Sequence, residues 1–88
     1  MTGFHGKRAL VAGGSAGIGR AIAAGLTGQG AEVAIAARTA NTLNKAAREV
    51  GAIPIVCDLS SEEAASNLAT AAINALGGLD LLVLSSGS

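Results

Sequence analysis

Short runs of apolar residues alternate along the chain with segments in which apolar residues recur every three or four positions. The runs predict four strands, and the periodic segments predict a helix in each of the intervals between them. We expect the strands over Arg8–Ala12, Glu32–Ala37, Ile53–Cys57 and Leu79–Leu84. Strands that alternate with helices form a parallel sheet joined by right-handed crossovers. Because the strands are almost continuously apolar, we expect helices on both faces of the sheet.

Each predicted helix has one apolar face. The positions expected to be buried are Ile18, Ile22 and Leu26 in the first helix, Leu43, Ala46, Ala47 and Val50 in the second, and Ala65, Leu68, Ala69, Ala72, Ile73 and Leu76 in the third. The first helix is expected to end at Gly28 and Gly30, the second at Gly51, and the third at Gly77 and Gly78, because glycine readily takes the left-handed conformation that ends a helix. Pro54 cannot donate to a ladder, so we expect the third strand near a sheet edge.

The composition restricts the classes of function. With 88 residues, half of them hydrophobic, the chain has room for one folded domain. Its formal net charge is zero, and without a basic block we expect no nucleic acid as a partner. The apolar runs are too short to span a membrane, so we expect no membrane association. The lone Cys57 has no partner for an internal disulfide, which favours a reducing compartment, and we predict a cytoplasmic protein without a metal site.

A glycine-rich segment lies where the first strand is expected to meet the first helix, with the glycines spaced G-x-x-x-G-x-G. The start of a helix attracts phosphate through its unpaired amides and its dipole. We interpret Gly13 as the turn, Gly17 as the closest approach to a pyrophosphate, and Gly19 as the helix–strand contact. An ordinary glycine-rich connection is the alternative. The candidate cofactor-binding residues here are Gly13, Ser15, Ala16, Gly17, Ile18 and Gly19.

The ends of the second and third strands suggest which dinucleotide is bound. An acidic residue after the second strand would favour NAD, but this chain has Arg38 and Thr39 there. The Arg38 guanidinium can pair with the 2′-phosphate of NADP, so we predict NADP rather than NAD. Alternatively, Arg38 is a solvated loop residue and Thr39 caps the second helix. Asp58 can accept from the adenine amino group beside Leu59, or it can cap a helix instead.

These features together resemble the amino-terminal half of a short-chain dehydrogenase/reductase. The first strand and the glycine segment match the family pattern T-G-x-x-x-G-I-G, with Ala12 in place of the threonine. The family has N-N-A-G after its fourth strand, where this chain has Leu84 followed by Ser85, Ser86 and Gly87. The last three are further candidate cofactor contacts. The resemblance implies a Rossmann-type three-layer fold with four parallel strands in the order 3-2-1-4.

The resemblance also implies a division of labour along the parent protein. Family members use a serine and a Tyr-x-x-x-Lys pair that follow the fourth strand. This chain contains no tyrosine, so we assign it no catalytic residue. We expect residues 1–88 to be an NAD(P)-binding domain truncated after the fourth strand and inactive alone. The parent is expected to be a homo-oligomer that transfers hydride between NADP and a small carbonyl or alcohol substrate.

Two other functions are consistent with the sequence. The altered segment after Leu84 fits a non-catalytic NAD(P)-binding or sensor module. An apolar fourth strand at the sheet edge also fits a structural remnant that self-associates without a ligand.

Overall fold

A computed structural model of the chain describes residues 5–13, 17–58 and 62–85. The elements in chain order are β1 (Arg8–Ala12), α1 (Gly17–Gly28), β2 (Glu32–Ala37), α2 (Ala40–Val50), β3 (Ile53–Val56), α3 (Glu62–Leu76) and β4 (Leu81–Leu84). The alternation of strands and helices predicted from the hydrophobic pattern is therefore confirmed.

The four strands form one parallel sheet in the order β3-β2-β1-β4. Leu10 of β1 lies between Ala34 of β2 and Leu82 of β4. Pro54 pairs with Ile35 from the outer strand β3, where the missing amide hydrogen is tolerated. Both the predicted strand order 3-2-1-4 and the predicted edge position of β3 are confirmed.

The sheet has a separate apolar cluster on each face, because successive side chains of a strand point to opposite sides. On one face, Val11 and Ile35 pack with residues of α1 and α2, including the fully buried Leu43. On the other face, Leu10 and Ala34 pack with residues of α3. The expected three layers are therefore present, and the central strands β1 and β2 are buried on both sides.

The buried face of α1 differs from the prediction. Ile18 was expected to be buried, but it is 75% exposed, and the buried positions of the helix are Gly19, Ala23 and Leu26. Residues spaced by four drift around a helix that has 3.6 residues per turn, so Ile18 lies off the face defined by Leu26. Gly19 adds no hydrophobic signal to the sequence, although it is the residue that contacts the interior.

The prediction for α3 was also too broad. Leu68, Ala72 and Leu76 are buried as expected, whereas Ala65 is exposed and Ile73 is 46% exposed. The alanines of this helix cover nearly half of its circumference, so the sequence pattern does not resolve a narrow face. Only about one residue in each turn of this helix is buried against the sheet.

Two strand boundaries differ from those expected. The third strand ends at Val56 rather than Cys57, and the fourth begins at Leu81 rather than Leu79. At the second of these boundaries, the Asp80 side chain accepts a hydrogen bond from the Arg8 amide at 3.0 Å. The Asp80 amide also donates to the Arg8 carbonyl at 2.8 Å, so a side-chain acceptor and a main-chain bond together join these residues before Leu81.

The outer strand β4 is only partly covered. Leu81 and Val83 pack against the cluster beneath α1 and α2, while Leu82 and Leu84 are 52% and 72% exposed on the face that α3 occupies elsewhere. No helix within the described ranges is long and apolar enough to cross a membrane.

Candidate functional site

The carboxyl ends of β2, β1 and β4 are held together by main-chain hydrogen bonds beyond the regular ladders. The Gly13 amide donates to the Ala36 carbonyl at 2.7 Å, and the Ser85 amide donates to the Ala12 carbonyl at 2.9 Å. The first residue after β1 and the first after β4 are therefore fixed at the same edge of the sheet.

The other half of this edge is built in the same way. The Cys57 amide donates to the Ala37 carbonyl at 2.9 Å, which holds the end of β3 beside the end of β2. Arg38 follows Ala37 at the end of β2, Asp58 follows Cys57 after β3, and both residues are exposed. The candidate basic and acidic residues therefore leave adjacent strands at one edge.

The residue that turns the chain out of β1 must be glycine. Gly13 has a left-handed φ of +85°, and a Cβ placed on it would lie 2.4 Å from the Ser85 carbonyl oxygen. That distance is shorter than real Cβ atoms show, and the atom it meets belongs to the main chain. The glycine therefore permits a close approach between the ends of β1 and β4.

The start of α1 is open. Helix α1 begins at Gly17, which is exposed, and a Cβ placed there would meet no atom within 4 Å. Its first turn contains no acidic residue. Gly19 is buried, as a helix–strand contact requires, while Ile18 points to the outside. Because first-turn amides have no partner within the helix, this end can accept an anion.

Thr39 occupies the N-cap position of α2, but its hydroxyl makes no capping hydrogen bond. Its carbonyl instead accepts from the Leu43 amide at 3.0 Å and from the Thr42 hydroxyl at 3.3 Å. The capping role considered for the Thr39 side chain is therefore absent, and the exposed hydroxyl lies next to Arg38 in the chain.

The candidate residues thus divide into two groups. Those at the described edge follow a strand or lie at the start of α1 or α2: Gly13, Gly17, Ile18, Gly19, Arg38, Thr39, Asp58 and Ser85. The others lie outside the described residues: Ser15, Ala16, Leu59, Ser86 and Gly87. The contact between Gly13 and the Ser85 main chain was not anticipated, because the sequence has no local signal for an approach across 72 residues.

Charged residues away from this edge belong to the helix surfaces. Lys45 and Arg48 are exposed on α2, as expected for a solvated face. An ion pair between Arg20 and Glu49 joins α1 to α2, with both side chains about two-fifths exposed. In the described part of the chain, no three His, Cys, Asp or Glu side chains are grouped so that they could hold a metal ion.

A parallel sheet of this order, with a glycine turn between β1 and α1 and helices on both faces, defines the Rossmann-type α/β class. Within that class, a family model described as short chain dehydrogenase matches residues 7–88. The chain therefore belongs to the short-chain dehydrogenase/reductase family, whose members are oxidoreductases that bind a nicotinamide dinucleotide.

Individual relatives agree with this assignment. The chain is 43% identical over 81 residues to D-erythrulose reductase of Gallus gallus, covering 91% of this chain and 31% of that protein. Hydroxysteroid dehydrogenase of Escherichia coli superposes with a TM-score of 0.90 at 36% identity, covering 97% and 38% of the two chains. The RhlG/NADP active-site complex of Pseudomonas aeruginosa gives a TM-score of 0.83 at 43% identity, covering 89% and 32%. The chain spans about three tenths of the length of its curated relatives.

Proposed function

We propose that this chain is the dinucleotide-binding part of an NADP-dependent oxidoreductase. The observation that supports it most directly is the shared edge at which β1 to β4 end beside the open start of α1. Gly17 leaves room for a phosphate, and the first turn of α1 has no carboxylate to repel one. The residues present therefore fit a bridging diphosphate.

The strand order supports an orientation for the dinucleotide. Along the edge from β3 to β4, the chain presents Asp58, then Arg38, then Gly13, then Ser85. These positions span three strand spacings, or about 14 Å. We assign the adenine to the Asp58 side, the 2′-phosphate to Arg38, and the diphosphate to the turn that follows Gly13. The remaining half of the ligand would lie toward Ser85.

The preference for NADP over NAD rests on the end of β2. Arg38 is exposed there, no carboxylate occupies the position, and the Thr39 hydroxyl is not used to cap α2. A guanidinium can form paired, charge-assisted hydrogen bonds with a phosphate. The similarity to RhlG, whose structure is an NADP complex, supports the same choice.

We propose a division of labour between these residues and the remaining length found in the relatives. This chain corresponds to 31% of D-erythrulose reductase and contains no tyrosine. We assign residues 1–88 to cofactor binding alone and expect them to be inactive without further protein. A bound nicotinamide supplies or accepts the hydride. The substrate would be a small carbonyl or alcohol compound, and the complete protein would be a homo-oligomer.

Isothermal titration calorimetry of the chain tests the proposal. NADP and NADPH should bind, and NAD should bind about ten times more weakly, because a missing phosphate leaves the guanidinium without its charge-assisted contact. Adenosine 2′-phosphate should compete with NADP much more strongly than nicotinamide mononucleotide, because only the first has the 2′-phosphate that pairs with Arg38. If no dinucleotide binds at millimolar concentration, the proposed function is wrong. If NAD binds as tightly as NADP, only the assignment of Arg38 is wrong.

A further inference from the structure

The contact between Gly13 and Ser85 joins two segments that both belong to the proposed dinucleotide site. Ser85 is held from two directions. Its amide donates to the Ala12 carbonyl at 2.9 Å, and its own carbonyl oxygen lies where a side chain on Gly13 would begin. The Gly13 amide is in turn bonded to the Ala36 carbonyl at 2.7 Å. The first residue after β4 therefore has little freedom to move relative to the turn after β1.

We propose that Gly13 is a positioning residue that fixes the end of β4 against the end of β1, so that Gly13 and Ser85 are held together at the edge of the site. This inference rests on the proposed function. In this view Gly13 acts through the Ser85 main chain rather than by touching the ligand. A side chain at Gly13 would displace Ser85, because a carbonyl of the main chain cannot rotate away as a flexible side chain can.

Two other glycines provide matched comparisons. Gly17 and Gly51 have left-handed φ values of +61° and +77°, close in kind to the +85° of Gly13. A Cβ on either would meet no atom within 4 Å. Alanine at any of the three positions has the same type of backbone strain, but only Gly13→Ala also collides with Ser85. Gly51 ends α2 and is not one of the proposed ligand contacts.

Comparing the affinities of two ligands distinguishes a positioning role of Gly13 from a simple loss of phosphate contacts. NADP is compared with 2′-phosphoadenosine 5′-diphosphate, which has the adenosine, the 2′-phosphate and a diphosphate but no nicotinamide riboside. We define the affinity ratio as the Kd of NADP divided by the Kd of this shorter ligand. A variant that disturbs only the glycine turn weakens both ligands equally and leaves the ratio unchanged.

Calorimetry on the full chain should show that Gly13→Ala raises the Kd of NADP by about tenfold and the affinity ratio by at least about threefold. Gly17→Ala should weaken both ligands with an unchanged ratio, and Gly51→Ala should leave both affinities within about twofold of wild type. Equal weakening of the two ligands by Gly13→Ala would overturn the positioning role.

A measurement on the unmodified chain covers the case in which Gly13→Ala fails to fold. In amide hydrogen exchange followed by NMR, the Gly13 and Ser85 amides should open together, with protection factors that agree within about threefold. Exchange of Ser85 that is far faster than that of Gly13 would overturn the coupling. This result does not depend on a ligand, so it can be distinguished from a failure of the chain to bind NADP.

Discussion

The amide of Arg8 donates a 3.0 Å hydrogen bond to Oδ2 of Asp80, a residue 72 positions further along the chain. The Asp80 amide donates in return to the Arg8 carbonyl at 2.8 Å. The Arg8 side chain lies along the turn before β4, with Nη1 3.2 Å from where a Cβ on Gly78 would lie. These contacts fasten the α3–β4 connection to the start of β1, at the edge opposite the candidate site.

Asp80→Ala should lower the free energy of unfolding by about 1 kcal/mol, because the Arg8 amide loses its acceptor. Urea denaturation followed by circular dichroism at constant pH measures the change. Asp80→Asn is the matched control, since its amide oxygen can still accept the bond, and it should lose less stability than Asp80→Ala. Equal losses in the two variants would show that the hydrogen bond itself contributes little.

Arg38→Asp should weaken the binding of NADP by about 1–3 kcal/mol, because it removes a charge-assisted contact and places a carboxylate near the 2′-phosphate. Calorimetry gives the affinity. Arg48→Asp makes the same change of charge on the exposed face of α2 and should have a much smaller effect. If both variants weaken the binding of NADP equally, Arg38 acts only through the net charge of the chain and not through a contact with the 2′-phosphate.

The thiol of Cys57 provides a probe of the adenine end of the site. It is half-buried, it donates to the Ala64 carbonyl at 3.6 Å, and it directly precedes Asp58. NADP at about ten times its Kd should slow alkylation by iodoacetamide roughly tenfold, in proportion to the remaining free protein. Mass spectrometry follows the reaction. The Arg38→Asp variant, tested at the same NADP concentration, should lose most of this protection. Alkylation at an unchanged rate would contradict the placement of the adenine beside Asp58.

The exposed leucines of β4 predict self-association of the 88-residue chain at high concentration, because an apolar outer strand can pair with another chain. The double substitution Leu82→Lys and Leu84→Lys should give a monomer in sedimentation velocity. Ile73→Lys also replaces an exposed apolar residue, but on α3 rather than at the sheet edge, and it should leave the association unchanged. If the wild-type chain remains monomeric, the exposed edge of β4 does not mediate self-association.

The sequence predicts the layers well, because the alternation of strands and helices follows from strong periodic patterns and Pro54 marks β3 as an edge strand. The full strand order is predicted only through the resemblance to the family, because hydrophobic periodicity does not determine which strands are neighbours. The sequence predicts the exact buried faces less well. Gly19 is buried without any hydrophobic signal, whereas Ile18 has a strong signal and is exposed. The small side chain decides the outcome, since a close helix–strand approach favours glycine over a larger residue.

The candidate site shows the same limit. Glycine spacing and the type of residue after β2 can be recognised in the sequence, because each is a local feature. The approach of the Ser85 carbonyl to Gly13 depends on how β4 lies beside β1. The oxygen in this contact belongs to the main chain, which every residue has. The amino acid at position 85 therefore gives no sign of the contact in the sequence.

All four strands end at the edge where the dinucleotide is proposed to bind, and this arrangement couples ligand occupancy to the integrity of the whole sheet. Each strand reaches that edge from a different part of the sequence. If any one strand unfolded, the edge would lose the residues that this strand contributes. A dinucleotide bound across these strand ends would therefore stabilise the folded chain, because it binds the assembled sheet edge and not the unfolded chain.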